Sequence, residues 1–328
     1  MRAAWYDQLG EAPEVLRVGE LPDPEPGPHQ VVVALHTSAV NPSDVRKRAG
    51  AFPDLLDHGP IIPHSDGAGV IEAVGEDVHP GRIGERVWVY QAQHVRRAGT
   101  AASRVAIDAG RAVSLPESVD YATAACLGIP AMTAHRCVFS DGPVVGQSIL
   151  VTGGAGRVGH LAIQWASQSG ARVIATASNA EDAEACREAG AMAVVNHREA
   201  GWAERVVEAN GSKKVDRVVE VEFGENFAET IETLCVGGVL AAYGSWHRPV
   251  LELPFYRMMY LDLLLRAVIV YDMPESAKTQ AMHDIDMALN AGWLRPRIGR
   301  RLPLAEVAEA HQAVEQGACR GSVVIEIQ

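Results

Sequence analysis

Ile149-Leu150-Val151-Thr152-Gly153-Gly154-Ala155-Gly156-Arg157-Val158-Gly159 is the stretch that decides the fold. An apolar run, Ile149 to Thr152, reads as a buried strand. Glycines follow at G-x-G-x-x-G spacing. Val158 to Gly170 then reads as a helix that a glycine ends. The early glycines permit a tight turn and let backbone N–H groups approach a pyrophosphate. The last lets helix and strand pack closely, and the helix N-terminus faces the negative charge. A bare motif of this kind also occurs in glycine-rich turns that hold no ligand. Here it stands between strand and helix, and a second strand, Arg172 to Ala177, follows about twenty residues on. The reading is a dinucleotide site built from Gly154, Ala155, Gly156, Arg157, Val158 and Gly159.

The end of that second strand bears on which nucleotide. An acid there would accept hydrogen bonds from a free ribose 2′-hydroxyl and favour NAD. The chain has Ala177, Ser178 and Asn179, small enough to leave room for a 2′-phosphate. Glu181 and Asp182 oppose a phosphate, and Arg198 or Arg320 would have to fold back to help it. NADPH is favoured over NADH.

Outward from the loop, Asp182 to Gly190 reads as a helix and Ala193 to Val195 as a strand. Val215 to Val219 and Val239 to Tyr243 are further strands, with Phe227 to Leu234 helical between them. This alternation predicts parallel strands with crossover helices on both faces, a doubly wound Rossmann domain over residues 121–265. Residues 1–120 are β-rich, with short apolar runs at Gln30 to His36, Ala68 to Val74 and Arg86 to Tyr90. A helix starts at Pro42, capped by Asn41. Helices at Ala277 to Gly292 and Leu304 to Gln316 and a strand at Gly321 to Ile327 are too few for a third domain. Residues 266–328 are expected to return to the first. The fold class is α/β.

Bulk properties limit the function. The 328 residues fit two domains at about 100–200 residues each. A net charge of −12 gives no support for nucleic-acid binding. No apolar run approaches the ~20 residues of a membrane span, since Asp262 and Arg266 interrupt Leu261 to Tyr271. Met1 to Asp7 shows no basic stretch followed by an apolar one, so a cytoplasmic location is expected. The five cysteines, Cys126, Cys137, Cys186, Cys235 and Cys319, include no C-x-x-C pair. They read as small buried apolar residues rather than a disulfide framework or zinc knuckle.

The whole chain resembles the zeta-crystallin-like quinone oxidoreductases of the medium-chain dehydrogenase/reductase superfamily. The residues that carry the resemblance are Asn41-Pro42-Ser43-Asp44, Ile62-Pro63-His64-Ser65-Asp66-Gly67-Ala68-Gly69 and Gly128-Ile129-Pro130-Ala131-Met132-Thr133-Ala134. The glycine loop, Val195-Asn196-His197-Arg198-Glu199 and Tyr243-Gly244-Ser245 complete the set. The resemblance implies a GroES-like catalytic domain made from both chain ends, NADPH in a cleft between domains, and a homodimer whose Rossmann sheets join at an edge strand near 263–270. An internal strand there is the alternative. In zinc-dependent relatives three ligands hold a catalytic metal. Asn41, Ser65 and Ile129 occupy those places here, and none is a good zinc ligand. A site relocated to His64, Asp66 and Asp44 is the other possibility, with His64 as pocket wall or turn residue against it.

The resemblance also assigns roles. Asn41 would hydrogen-bond the acceptor oxygen, with Asp44 either orienting it or capping the helix. Phe52 falls where relatives often carry a tyrosine, and forms an apolar wall without a proton to give. Thr133 would touch the nicotinamide region, and Ser178, Asn179 and His197 the adenosine ribose. Tyr243, Gly244, Ser245 and Arg320 would reach the cofactor, while Arg157 either folds over the pyrophosphate or is solvated. Glu222 stands at a usually apolar position, and Trp246, His247 and Arg248 form either a lid or a solvated loop. The expected reaction is metal-free hydride transfer from NADPH to a quinone. A reductase of activated double bonds (enones or enoyl thioesters) uses the same residues, with Arg46, Lys47, Arg48, Arg96 and Arg97 as cations for a thioester carrier. A redox-silent NADPH-binding protein with a structural or RNA-binding role is the alternative of another class.

Overall fold

The structure, a computed structural model, describes residues 1–327; Gln328, the end of the expected return segment, lies outside the described residues. The chain packs as two compact units. One is Met1–Ile129 with the chain from Met282 onward, and the other is Pro130–Ala281. Sequence reading placed the changes at 120/121 and 265/266. Tyr121–Ala124 stays with the first unit, because Thr37 Oγ1 donates to the Tyr121 carbonyl at 2.7 Å and the Arg86 guanidinium lies 4.6 Å from the Tyr121 ring centre. The stretch after 265 stays with the second, because Leu264–Ala267 pairs with its sheet and Val268 N–H donates to Ala242 O.

The first unit is built on Gln30–Val40, longer than the apolar run predicted. The strand order is Ile298–Pro303, Ser322–Glu326, Gln30–Val40, Asp66–Val74, Arg86–Val89, Ala112–Ser114, with Arg104–Asp108 also on Gln30–Val40. All these pairs are antiparallel except the first, which is parallel. Val31, Val33, Leu35, Ile71, Val87, Val89, Val105 and Ile107 form one core layer. The return segment therefore supplies two strands, one of them, Ile298–Pro303, not foreseen.

The second unit is a six-stranded sheet, all parallel, in the order Ala193–Asn196, Arg172–Ala177, Ser148–Val151, Val215–Glu220, Leu234–Ala242, Leu264–Ala267. This is the doubly wound Rossmann order, 3-2-1-4-5-6. The helix Arg157–Gln168 buries Leu161, Ile163 and Trp165, each contributing about 1.5–3 kcal/mol by leaving water. Inside the sheet, buried Arg217 donates to Cys137 O at 2.8 Å and pairs with Asp141 at 3.1 Å. Arg266 on the edge strand binds the same carboxylate. Burial pushes the Asp141 carboxyl up, but Arg266, Ser140 and Arg217 outweigh it and hold the group at about 2. Cys126, Cys137 and Cys186 are buried, whereas Cys235 and Cys319 are half-buried, so the expectation of five core cysteines holds for three.

Candidate functional site

In the second unit, the strands are parallel, so their following loops gather at one end of the sheet. The glycine loop, Ser178 and Asn179, His197, and Tyr243 to Ser245 all follow the C-terminal ends of such strands. The loop demands its glycines. A Cβ on Gly154 would stand 2.8 Å from Cys186 Sγ and 2.9 Å from Ala175 Cβ, and one on Gly159 would overlap the Gly153 carbonyl. Gly154 N–H donates to Thr176 O, and Gly153 N–H to Thr176 Oγ1, pinning the turn to the second strand. The helix Arg157–Gln168 then starts with its N-terminus open toward the loop, a cradle that fits a dinucleotide pyrophosphate. Arg157 is half-buried and Thr133 is buried on Met132–Phe139.

Some of the residues expected at the ribose also hold local structure. Asn179 accepts from Asp182 N–H and donates to the Asp182 carboxylate, each at 2.8 Å, which commits its side chain to capping Ala180–Glu188. Ser178 and His197 remain half-buried at the same end. Ser245 Oγ donates to Arg248 O and accepts from Gly224 N–H, so it closes its own turn. Glu222 accepts from His247 N–H at 2.8 Å and lies 3.3 Å from its imidazole, tying the Trp246–Arg248 loop down.

In the first unit, Asn41 caps the helix Pro42–Arg48 in a reciprocal capping box with Asp44, whose carboxylate accepts Asn41 N–H at 2.8 Å. Asp44 is thus a cap. The Asn41 amide Nδ2 donates to Asp66 Oδ2 at 2.8 Å, and Ile129 N–H donates to the same oxygen at 2.9 Å. Asp66 is completely buried, and its Oδ1 has no partner. Burial drives its carboxyl up to about 8; the Ile129 and Asn41 bonds pull it down, Asp44 pushes it up and Lys47 pulls it down.

A buried chain of hydrogen bonds ends on the same residue. The Asp66 carbonyl can only accept, so Thr100 Oγ1 spends its proton there, at 2.6 Å. Thr100 then accepts from Ser38 Oγ at 2.8 Å, and Ser38 accepts from His64 Nδ1 at 2.8 Å. His64 Nε2 must in turn accept from His311 Nε2, 2.9 Å away. Both imidazoles are neutral and of opposite tautomer, with the unprotonated Nδ1 of His311 buried and unpartnered. Burial drives the His64 pKa down to about 3, and burial, His64 and Arg48 drive that of His311 down as well. His64 adopts φ 75°, a turn conformation, and its nitrogens are spent on this chain.

Phe52 stands apart, 56% exposed, while Leu55 and Leu56 beside it pack on Tyr6, Val15 and Ile61. Arg320 is exposed in the turn before Ser322–Glu326. Of the cations considered for a thioester, Lys47 is buried and donates to Gln93 O and Oε1, and Arg48 is fully buried against Gly10 O and Glu315. Neither is presented to a ligand. Sequence reading offers Asp66 only as part of a relocated metal site with His64 and Asp44, whereas the structure makes it the acceptor for Asn41 and Ile129.

The zinc position does not fit zinc. The Asn41 amide is a donor here, Ile129 offers a backbone N–H, and both point to one carboxylate. Among the described residues no thiolate or imidazole joins them, and His64 is spent elsewhere.

Comparison with known proteins agrees with this picture. Residues 27–117 match the alcohol dehydrogenase GroES-like domain, and residues 158–286 match the model described as zinc-binding dehydrogenase. Human quinone oxidoreductase is 32% identical over 322 residues, covering 97% of this chain and 95% of its own. A mycobacterial protein solved with NADPH superposes at TM-score 0.88 with 29% identity, both chains fully covered. A structure described as an NAD-dependent alcohol dehydrogenase does so at TM-score 0.88 with 28% identity, again with both chains fully covered. With its glycine loop, its GroES-like sheet and a vacated metal position, the chain belongs to the quinone oxidoreductase family of medium-chain dehydrogenases/reductases.

Proposed function

We propose that this protein reduces quinones with NADPH and without a metal. The observation that carries the reading is the coincidence of an intact dinucleotide cradle with a metal position rebuilt as an Asn41–Asp66–Ile129 hydrogen-bond cluster, in a chain so similar to quinone oxidoreductases. When bound, NADPH supplies a hydride from its nicotinamide ring. The Gly154–Gly159 backbone holds the pyrophosphate. Ser178 leaves space for a 2′-phosphate, and His197 lines the ribose; Asn179 acts by fixing the helix beside them. Thr133 and Tyr243 to Ser245 serve the nicotinamide end.

Asn41 donates to the acceptor oxygen. With one N–H given to Asp66, the second N–H is the donor left for substrate. A donor aimed at a developing oxyanion is worth about 10²–10³ in rate. Phe52 gives no proton, so the one proton that the product needs beside the hydride comes from solvent.

The protein works as a homodimer. Phe255, Tyr256, Met259 and Tyr260 of the helix Phe255–Tyr260 and Leu264 of the edge strand are exposed together. An unpaired apolar edge of this kind calls for a partner. A cytoplasmic site of action goes with five cysteines that form no disulfide.

The test is titration with NADPH and NADH, then oxidation at 340 nm with 1,4-benzoquinone, 9,10-phenanthrenequinone and a simple enone, with and without chelator. Tight NADPH binding with fast, chelator-resistant quinone turnover is expected. Turnover of the enone alone would make it an alkene reductase. Binding of neither nucleotide would end the reading.

A further inference from the structure

Two of the three positions that a metal would join, Asn41 and Ile129, are here joined by a carboxyl group. Asp66 Oδ2 collects the Asn41 amide and the Ile129 N–H, and it does so in complete burial. The surroundings are shaped around that group. Gly128, in the π-turn Leu127–Ala131, lies directly against it, and a Cβ there would overlap Asp66 Oδ1. The backbone of Asp66 is held separately by Thr100. Both the carboxyl and its main chain are therefore fixed from different parts of the sequence. Asn41 has two rotatable side-chain bonds. The helix start holds its backbone, with Asp44 N–H on the Asn41 carbonyl and Asn41 N–H on the Asp44 carboxylate, and the bond to Asp66 fixes the amide plane.

We propose that Asp66 is a positioning residue for Asn41: its Oδ2 anchors one amide N–H so that the other is aimed at the oxygen of the acceptor. The inference rests on the role given to Asn41 above. Asp66 touches neither substrate nor nucleotide. A misaimed donor costs up to about 10² in rate without loss of binding.

Four variants test it, Asn41→Ala, Asp66→Ala, Asp66→Asn and Gly128→Ala, with the doubles Asn41→Ala/Asp66→Ala and Asn41→Ala/Gly128→Ala. For each, kcat and KM for 1,4-benzoquinone and the NADPH dissociation constant are measured. Asp66→Ala is expected to lower kcat about 10–100-fold with NADPH affinity unchanged. Asp66→Asn keeps an acceptor for both N–H groups and recovers most of that loss. Gly128→Ala, which displaces the carboxyl without deleting it, lowers kcat in the same sense. Each double is no slower than Asn41→Ala alone, because the anchor has nothing left to aim. Losses that multiply in the doubles, or wild-type kcat in both Asp66→Ala and Gly128→Ala, overturn the proposal. So does a fall in NADPH affinity that accounts for the whole loss. Should Asp66→Ala fail to fold, Gly128→Ala and Asp66→Asn decide the matter. Full activity in Asn41→Ala instead overturns the role of Asn41 itself, and is told apart by that single variant.

Discussion

Two buried groups make opposite demands on pH. His64 and His311 are neutral in the fold, with pKa values pushed below the ordinary 6.5. As pH falls below 6.5 the unfolded chain takes up protons that the folded chain refuses, so stability falls by up to about 1.4 kcal/mol per pH unit for each histidine, and the His64 contribution runs on until pH approaches about 3. Denaturation of His311→Gln between pH 6.5 and 4 is therefore expected to show a shallower fall than wild type; equal slopes would show that the pair does not govern acid stability. Asp66 works the other way. Its carboxyl is held at about 8 against 3.8 unfolded. The fold keeps a proton that the unfolded chain releases, and stability drops as pH rises from about 4 to 8. Asp66→Asn removes that cost, and its melting temperature at pH 8 is expected to exceed wild type, with the gap closing toward pH 4. None of this was legible in the sequence. His64 and His311 lie 247 residues apart, and one of the Asp66 partners is a backbone N–H that no residue type announces.

The elements were more readable where one physical cause dominates. The glycine loop was identified because close approach leaves only glycine possible there. Gly159→Ala puts a Cβ into the Gly153 carbonyl. It is expected to raise the NADPH dissociation constant about tenfold or more, roughly 1.4 kcal/mol, as read by fluorescence titration with the fold intact by circular dichroism. The parallel strands Ser148–Val151 and Arg172–Ala177 were legible as mostly buried apolar runs. Ile298–Pro303 was not, because its side chains Arg300 and Arg301 face outward at a sheet edge and break the apolar pattern. The helix Met132–Phe139 was hidden behind Pro130, which sits inside a π-turn instead of ending anything. At the sheet's other edge, the eight residues expected at 263–270 reduce to Leu264–Ala267, since Val268 leaves the ladder after one hydrogen bond to Ala242.

At the scale of the molecule, the two-domain plan with a returning C-terminal segment was legible from the change of rhythm along the chain, though the limits of each unit depend on which residues Tyr121 and Leu264 bind. Assembly is the property most open to test here. Tyr256 and Tyr260 lie four residues apart, on one face of a helix, and both are exposed. Replacing both with Glu is expected to convert a dimer into single chains of 35.1 kDa, seen by light scattering after size exclusion, with NADPH binding retained. A dimer that persists would put the interface elsewhere. Because Ser322–Glu326 lies between Ile298–Pro303 and Gln30–Val40, the sheet of the first unit is completed by a strand that is synthesised only after the whole of Pro130–Ala281. Pro130–Ala281 is contiguous and closes its own sheet earlier. During synthesis the N-terminal strands therefore have Thr37 to Val40 unpaired on one side, an open edge that strand pairing closes only when the return segment has been made.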